Sequence, residues 1–234
     1  MKMKNSFALV MVLVFGIFLF QTFRHYQTKT TLNKTATYYN TNTPAEIGAA
    51  NVVTAIVVTY RGLDTLGEVT VLFLTAMIVG YMLRHGGKEK AKKNNTSEIM
   101  ITAAHVLIPG SIILGVYVFI NGHLTPGGGF QGGAIIGTAI TLMILADPLG
   151  TIQKSVLHFT ESLSGFTYIL IGLAGLLFAG GFLDNRILPL GNMGNLLSAG
   201  AIPLIYSLIG LKVGTELSSI IAYINETGNK TVKS

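Results

Sequence analysis

Apolar residues fall in long runs separated by short polar stretches. The first run, Phe7 to Phe23, follows Lys2 and Lys4 and ends in Gln21-Thr22-Phe23-Arg24-His25 without a small-x-small cleavage site, so it reads as an uncleaved membrane anchor. Arg24 to Thr43, rich in Thr, Asn and Tyr, reads as an extramembrane loop. Ile47 to Thr59 is apolar but only 13 residues long and runs directly into Arg61-Gly62-Leu63-Asp64. A crossing needs about 20 residues, so this segment is expected to be an interfacial or re-entrant helix. Further spans are expected at Leu66 to Leu83, Ile99 to Ile120, Phe130 to Ala146, Gly165 to Leu183 and Leu196 to Val213. The pattern predicts an all-α integral membrane protein with about six transmembrane helices plus that short interfacial or re-entrant helix.

Composition narrows the class. Of 234 residues, 50% are hydrophobic and 11% charged, where a soluble domain has about 25% charged residues. The mean hydropathy of +0.59 agrees, and 28 Gly against 6 Pro fits closely packed membrane helices. With the length consumed by spans, no separate soluble catalytic domain fits. The net charge of +6 is expected to orient loops rather than bind nucleic acid, since no block interleaves Arg with aromatic residues. With the N-terminus inside, Lys2, Lys4, Arg84, Lys88, Lys90, Lys92, Lys93, Lys154, Lys212, Lys230 and Lys233 lie in the cytoplasm, eleven of the 16 basic residues. A seventh crossing at 47–59 would put the basic linker outside. With no cysteine, redox chemistry through thiolates or iron–sulfur clusters would have to reside on another subunit.

The most distinctive string is Asn121-Gly122-His123-Leu124-Thr125-Pro126-Gly127-Gly128-Gly129-Phe130-Gln131-Gly132-Gly133. It is no phosphate cradle, because it follows a membrane helix and lacks the lysine of such loops. Gly129, Gly133 and Gly137 recur every fourth residue and line one helix face on which another helix can approach closely, with Pro126, Gly127 and Gly128 shaping the entry. A helix-start ion site built from unpaired amides is the other reading.

Ionisable residues in spans cost roughly 2.5–3.5 kcal/mol each at a helix centre and so mark candidates for chemistry. Glu68 lies just inside its span, with Asp64 one turn earlier and Arg61 beside them. The group is either a carboxylate pair that handles a proton or an ion-paired, capped helix start. His105 shares a helix face with Glu98 and precedes Pro109-Gly110, and is either a hydrogen-bonded packing residue or a proton relay. Lys212 and Glu216 read as an interfacial pair with a snorkelling lysine. His123, His158, Glu161, Asp184 and Arg186 read as solvated. No zinc-protease, serine-nucleophile or Walker motif is present.

The string from Gly122 to Gly133 resembles the hallmark of the B subunit of Mrp-type multisubunit sodium/proton antiporters. The similarity to that four-helix subunit extends from Glu98 to about Tyr223. Upstream, Asn51-Val52-Val53-Thr54-Ala55-Ile56 with Tyr60-Arg61-Gly62-Leu63-Asp64-Thr65-Leu66-Gly67-Glu68 resembles the end of the large A subunit, which some complexes encode as a small E-type subunit. The resemblance implies three segments: an E-type module at 1–86, a basic cytoplasmic linker at 87–97 and an MnhB-like module at 98–234. Such modules also occur in respiratory complexes related to complex I, including archaeal membrane-bound hydrogenases and sulfane sulfur reductases.

What the resemblance implies is a non-catalytic membrane subunit of a cation/proton antiporter module, with no cofactor in this chain and sodium ions and protons as transported species. Its expected partners are other Mrp-type membrane subunits, hydrogenase or reductase subunits carrying metal centres, and lipid, with no nucleic acid. It is expected in a prokaryotic cell membrane, multi-pass, with both termini cytoplasmic. The A-subunit tail is among the regions thought to line a cation path, which adds interest to Asp64 and Glu68. A purely structural assembly subunit is the alternative.

Overall fold

The computed structural model describes residues 2–25, 31–84, 97–147 and 153–228. The linker lysines Lys88, Lys90, Lys92 and Lys93 lie outside the described residues, as do Lys230 and Lys233. The chain forms two compact units, Met1–Tyr38 and Tyr39–Ser234. In the first, helix α1 (Lys2–His25) includes the apolar stretch Ala8–Arg24, whose side chains are all exposed. The run read as a loop after Arg24 is in part helical. Helix α2 (Lys34–Glu46) begins where Asn33 Oδ1 accepts the Ala36 amide at 2.7 Å, satisfying a first-turn donor.

In the second unit, α3 (Val52–Ala55) is capped by Asn51, whose side chain accepts from the amides of Val53 and Thr54. A π-turn, Ile56–Tyr60, follows and leads into α4 (Gly62–Arg84). The 47–59 segment is thus a short broken helix, and its Thr54, Ala55 and Val58 are fully buried. Four long helices follow: α5 (Glu98–Ile120), α6 (Gly129–Ala146), α7 (Lys154–Phe178) and α8 (Ile202–Gly228). Among the described residues, five helices are long and apolar enough to cross a membrane, α4 to α8, and Ala8–Arg24 is a shorter apolar helix.

Two spans sit elsewhere than the hydropathy pattern places them. The crossing expected over 165–183 runs over Ser155–Phe178, and the one expected over 196–213 runs over Ile202–Asn225. Both differences have one cause. The stretch from Ala179 to Ala201 is apolar but rich in glycine, and it folds as turns with Gly191, Gly194 and Gly200 at positive φ. Gly200 illustrates the need, since at φ +60° a Cβ there would strike the Asn185 carbonyl. The helices therefore take up polar residues at their other ends.

Helix α8 is the centre of the bundle, packing against α4, α5, α6 and α7. The core gathers Ile202, Ile205, Tyr206, Ile209 and Val213 of α8 with Tyr168 and Ile171 of α7, Val69 of α4, and Ala55 and Val58 of the broken helix. Helices α4 and α5 turn most of their large apolar side chains outward, among them Val71, Met77, Ile99 and Val106.

Candidate functional site

The glycine-rich string is a junction. Gly129, Gly133 and Gly137 of α6 face α8: a Cβ on them would come within 2.7 Å of Ile209, 2.7 Å of the Gly210 carbonyl and 3.1 Å of Leu217. Gly132 faces α5 instead, where a Cβ would lie 2.5 Å from the Gly115 carbonyl. Gly127 sits at φ +152° with the Val118 carbonyl 3.2 Å from its would-be Cβ, so the entry loop requires glycine there. Gly128 lies under the Tyr206 ring, Phe130 packs against the core, and Pro126 is exposed.

The same loop receives the broken helix. Asn51 Nδ2 donates to the carbonyls of Gly122 and Thr125, both at 2.9 Å, and the Asn51 amide donates to the His123 carbonyl at 3.0 Å. The Thr54 hydroxyl donates to the Gly122 carbonyl at 2.6 Å, and Tyr206 donates to Thr54 at 3.1 Å. The string thus joins the residues that resemble an A-subunit tail to those that resemble a B subunit. His123 is fully buried, not solvated, with Nε2 3.3 Å from the Asn195 carbonyl. Burial pushes its imidazole below the ordinary 6.5, so it is neutral at neutral pH.

Asp184 is also buried rather than solvated. Arg186 holds it through Nε at 2.9 Å and Nη2 at 2.5 Å, while the Gly180 amide donates to it at 3.0 Å. The Arg186 hydrogen bonds lower the Asp184 carboxyl from 3.8 to about 2. A depressed folded-state value means that the pair stabilises the fold above pH 3.8, and that this contribution is lost as pH falls through about 2. Asp184→Asn is expected to lower thermal stability by about 1 kcal/mol at neutral pH, the half-exposed guanidinium being screened by water. Melting curves should show the gap to wild type closing as the solution is acidified through that window.

Of the carboxylates singled out on α4, Asp64 forms an exposed ion pair with Arg61, and Glu68 is exposed one turn further along the helix. His105 is exposed on α5. The structure does not bring the three together, because α4 packs on α8 while α5 packs on α6 and α8. Glu68 does lie close enough to the buried Tyr168 of α7 to act on it electrostatically.

The charges the structure buries are others. Lys212 and Glu216 are not an interfacial pair: they lie near the middle of the last span, Glu216 at 0% exposure, with Nζ 2.7 Å from Oε1. The ammonium also stands 4.7 Å above the Phe73 ring of α4 and beside Gly165 of α7, whose missing side chain leaves it room. Glu161 of α7 is buried rather than solvated, and His158 one turn earlier has Nδ1 3.6 Å from Glu161 Oε2 and Nε2 3.2 Å from the Tyr223 hydroxyl. A cleft of about 420 Å³ reaches this group, lined by His158, Glu161, Ser162, Ser219 and Tyr223 with Phe73 to Tyr81 of α4.

Burial of a Lys–Glu pair in a span is tolerable because the partners neutralise each other, and breaking it would leave a charge without water. The signal in the sequence was the return of apolar residues after Glu216. Ser218 and Ser219 are followed by Ile220-Ile221-Ala222, so the charges interrupt a span rather than end it. Groups of three or more His, Asp or Glu able to hold a metal are absent among the described residues.

Comparison with known proteins agrees with this architecture. Residues 99–219 match the family described as "Domain related to MnhB subunit of Na+/H+ antiporter", and residues 4–98 match the family of the MBH E subunit. A protein of Methanocaldococcus jannaschii without an assigned function is 31% identical over 201 residues, 72% of this chain and 74% of that protein. The B subunit of the Na(+)/H(+) antiporter of Bacillus subtilis is 35% identical over 88 residues, 37% of this chain and 56% of that one. Among solved structures, a chain of the membrane-bound sulfane sulfur reductase, an archaeal respiratory membrane complex, superposes with TM-score 0.82 at 42% identity, covering 95% of this chain and 98% of that one. A chain of the Mrp complex from Dietzia sp. DQ12-45-1b shares the fold, with TM-score 0.76 at 22% identity over 100% of this chain and 27% of that one.

Proposed function

This chain belongs to the family of domains related to the MnhB subunit of Na+/H+ antiporters, and from that premise we propose that it is a non-catalytic membrane subunit of a sodium/proton antiporter module built into a larger respiratory membrane complex. The observation that carries the choice of host is the nearly complete mutual coverage with a chain of the sulfane sulfur reductase complex, in which both modules run in one polypeptide of matching extent. Catalysis, on this reading, belongs to other subunits.

The outward faces support a subunit rather than a free transporter. The exposed apolar side chains of α4 and α5 and the exposed Glu68 and His105 meet neighbouring helices or lipid. Orientation follows from the loops. Arg84, Lys88, Lys90, Lys92, Lys93, Lys154, Lys230 and Lys233 fall in or beside the segments joining α4 to α5 and α6 to α7 and after α8, whereas Arg61 and Arg186 fall at the opposite ends. The positive-inside rule places the former in the cytoplasm of a prokaryotic cell.

In this arrangement Asp64 and Glu68 carry cations at the contact with a partner subunit, with His105 facing another. Glu68→Gln in the intact complex is expected to cut sodium/proton exchange in vesicles at least tenfold with assembly unchanged. Normal exchange by a normally assembled variant would remove Glu68 from the path.

A further inference from the structure

One face of α8 carries Lys212, Glu216, Ser219 and Tyr223, at steps of four, three and four residues. The facing side of α7 carries Gly165, Glu161 and His158 in the opposite direction. The two stripes pair in register: Tyr223 with His158 at 3.2 Å, Lys212 against Gly165, and Glu161 close enough to Glu216 to act on it electrostatically. Between them the Ser219 hydroxyl, 5% exposed and lining the cleft, makes no hydrogen bond, and neither Glu216 oxygen accepts one of regular geometry. A buried hydroxyl without a partner, beside a buried carboxylate held by the Lys212 ammonium, is costly unless something visits it.

Charge counting sharpens the point. Two buried carboxylates, Glu161 and Glu216, face one buried ammonium, Lys212, so these three side chains together carry one negative charge too many. Inside a membrane such an excess is expensive, and one added proton removes it. The other neighbours bury no competing charge among the described side chains: α6 has no titratable residue, Glu98, His105 and Tyr117 of α5 are exposed, and so are Asp64, Glu68 and Tyr81 of α4, which meets the cleft with Phe73. From Tyr223 to Lys212 the stripe spans eleven residues, or about 16 Å of helix, which is half the thickness of a bilayer.

We propose that the cleft between α4, α7 and α8 is a proton half-channel, in which His158 and Glu161 pass a proton from the membrane face where α8 ends to the Glu216–Lys212 pair at mid-membrane. This rests on the antiporter reading above and adds a route inside this chain. Each step moves one proton. His158 takes up one proton from water at the membrane face, the resulting imidazolium loses its Nδ1 proton to the Glu161 carboxylate, the Glu161 carboxyl passes it to the Glu216 carboxylate by way of water in the cleft, and the Glu216 carboxyl rests beside the Lys212 ammonium. The relay enters with one charge and leaves the group neutral.

The test uses the intact complex purified from membranes. Infrared difference spectra between acid and alkaline buffer should show a carboxylic-acid carbonyl band that disappears in Glu216→Gln, and in proteoliposomes Glu216→Gln and Glu161→Gln should each lower exchange at least tenfold. Ser219→Ala, a smaller change, should lower it several-fold and guards against a folding defect in the carboxylate variants. An acid band unaltered by Glu216→Gln, or exchange within twofold of wild type in the assembled variants, overturns the half-channel. Sodium removing the band at fixed pH would make the cleft a sodium site and overturn the proton assignment. If the unmodified complex exchanges no sodium for protons, the antiporter reading fails, while the infrared band still decides whether Glu216 takes up a proton.

Discussion

Lys212→Met is expected to be among the most damaging single changes in the chain, destabilising it by about 3–5 kcal/mol, because it leaves the fully buried Glu216 without its counter-charge. Methionine fills similar volume beside Phe73 and Gly165, so the loss is electrostatic rather than a cavity. The double variant Lys212→Met/Glu216→Gln should recover most of the loss, since a neutral amide beside a thioether carries no unpaired charge. Thermal unfolding of the solubilised complex, followed through this subunit, distinguishes the cases. A single variant that melts with wild type would mean that water reaches Glu216 freely.

Gly133→Leu is the second large effect. A Cβ at this position already lies 2.7 Å from the Gly210 carbonyl and 2.8 Å from Val213 Cβ, so a leucine must push α6 away from α8 along the most extensive helix contact in the bundle. The expected cost is about 3 kcal/mol or more, with loss of the subunit from the complex, and Gly133→Ala should show a milder version. Blue native electrophoresis of membranes expressing each variant reads this out. Intact complex with Gly133→Leu would show that the two helices can separate without consequence, contrary to the packing described.

The fold was largely legible in the order of apolar runs, since a span of about 20 apolar residues has few other fates in a chain with so little charge. The 47–59 segment was readable because Arg61 and Asp64 cut it short. What hydropathy could not resolve was which residues of a glycine-rich apolar stretch are helical. Gly180, Gly181, Gly191 and Gly194 score as apolar yet build turns, so α7 and α8 extend into segments that read as loops. That displacement is why Lys212 and Glu216 were expected at an interface and Glu161 in solvent, whereas all three are buried. A charge looks like a span end when counted along the chain, whereas an i,i+4 partner and an opposing glycine such as Gly165 make it tolerable inside. Glu68 and Asp64 stand out in the sequence by their position at a helix start, and what their exposed side chains meet depends on neighbours that the sequence of one chain does not contain.

The most direct measurement is sodium-driven proton movement by the complex purified through an affinity tag on this chain and reconstituted into sealed vesicles. The account predicts that other membrane subunits accompany the chain and that a sodium gradient moves protons in the opposite direction, abolished when the complex is dissociated. Isolation of the chain alone, or a complete complex whose proton flux ignores sodium, would contradict it.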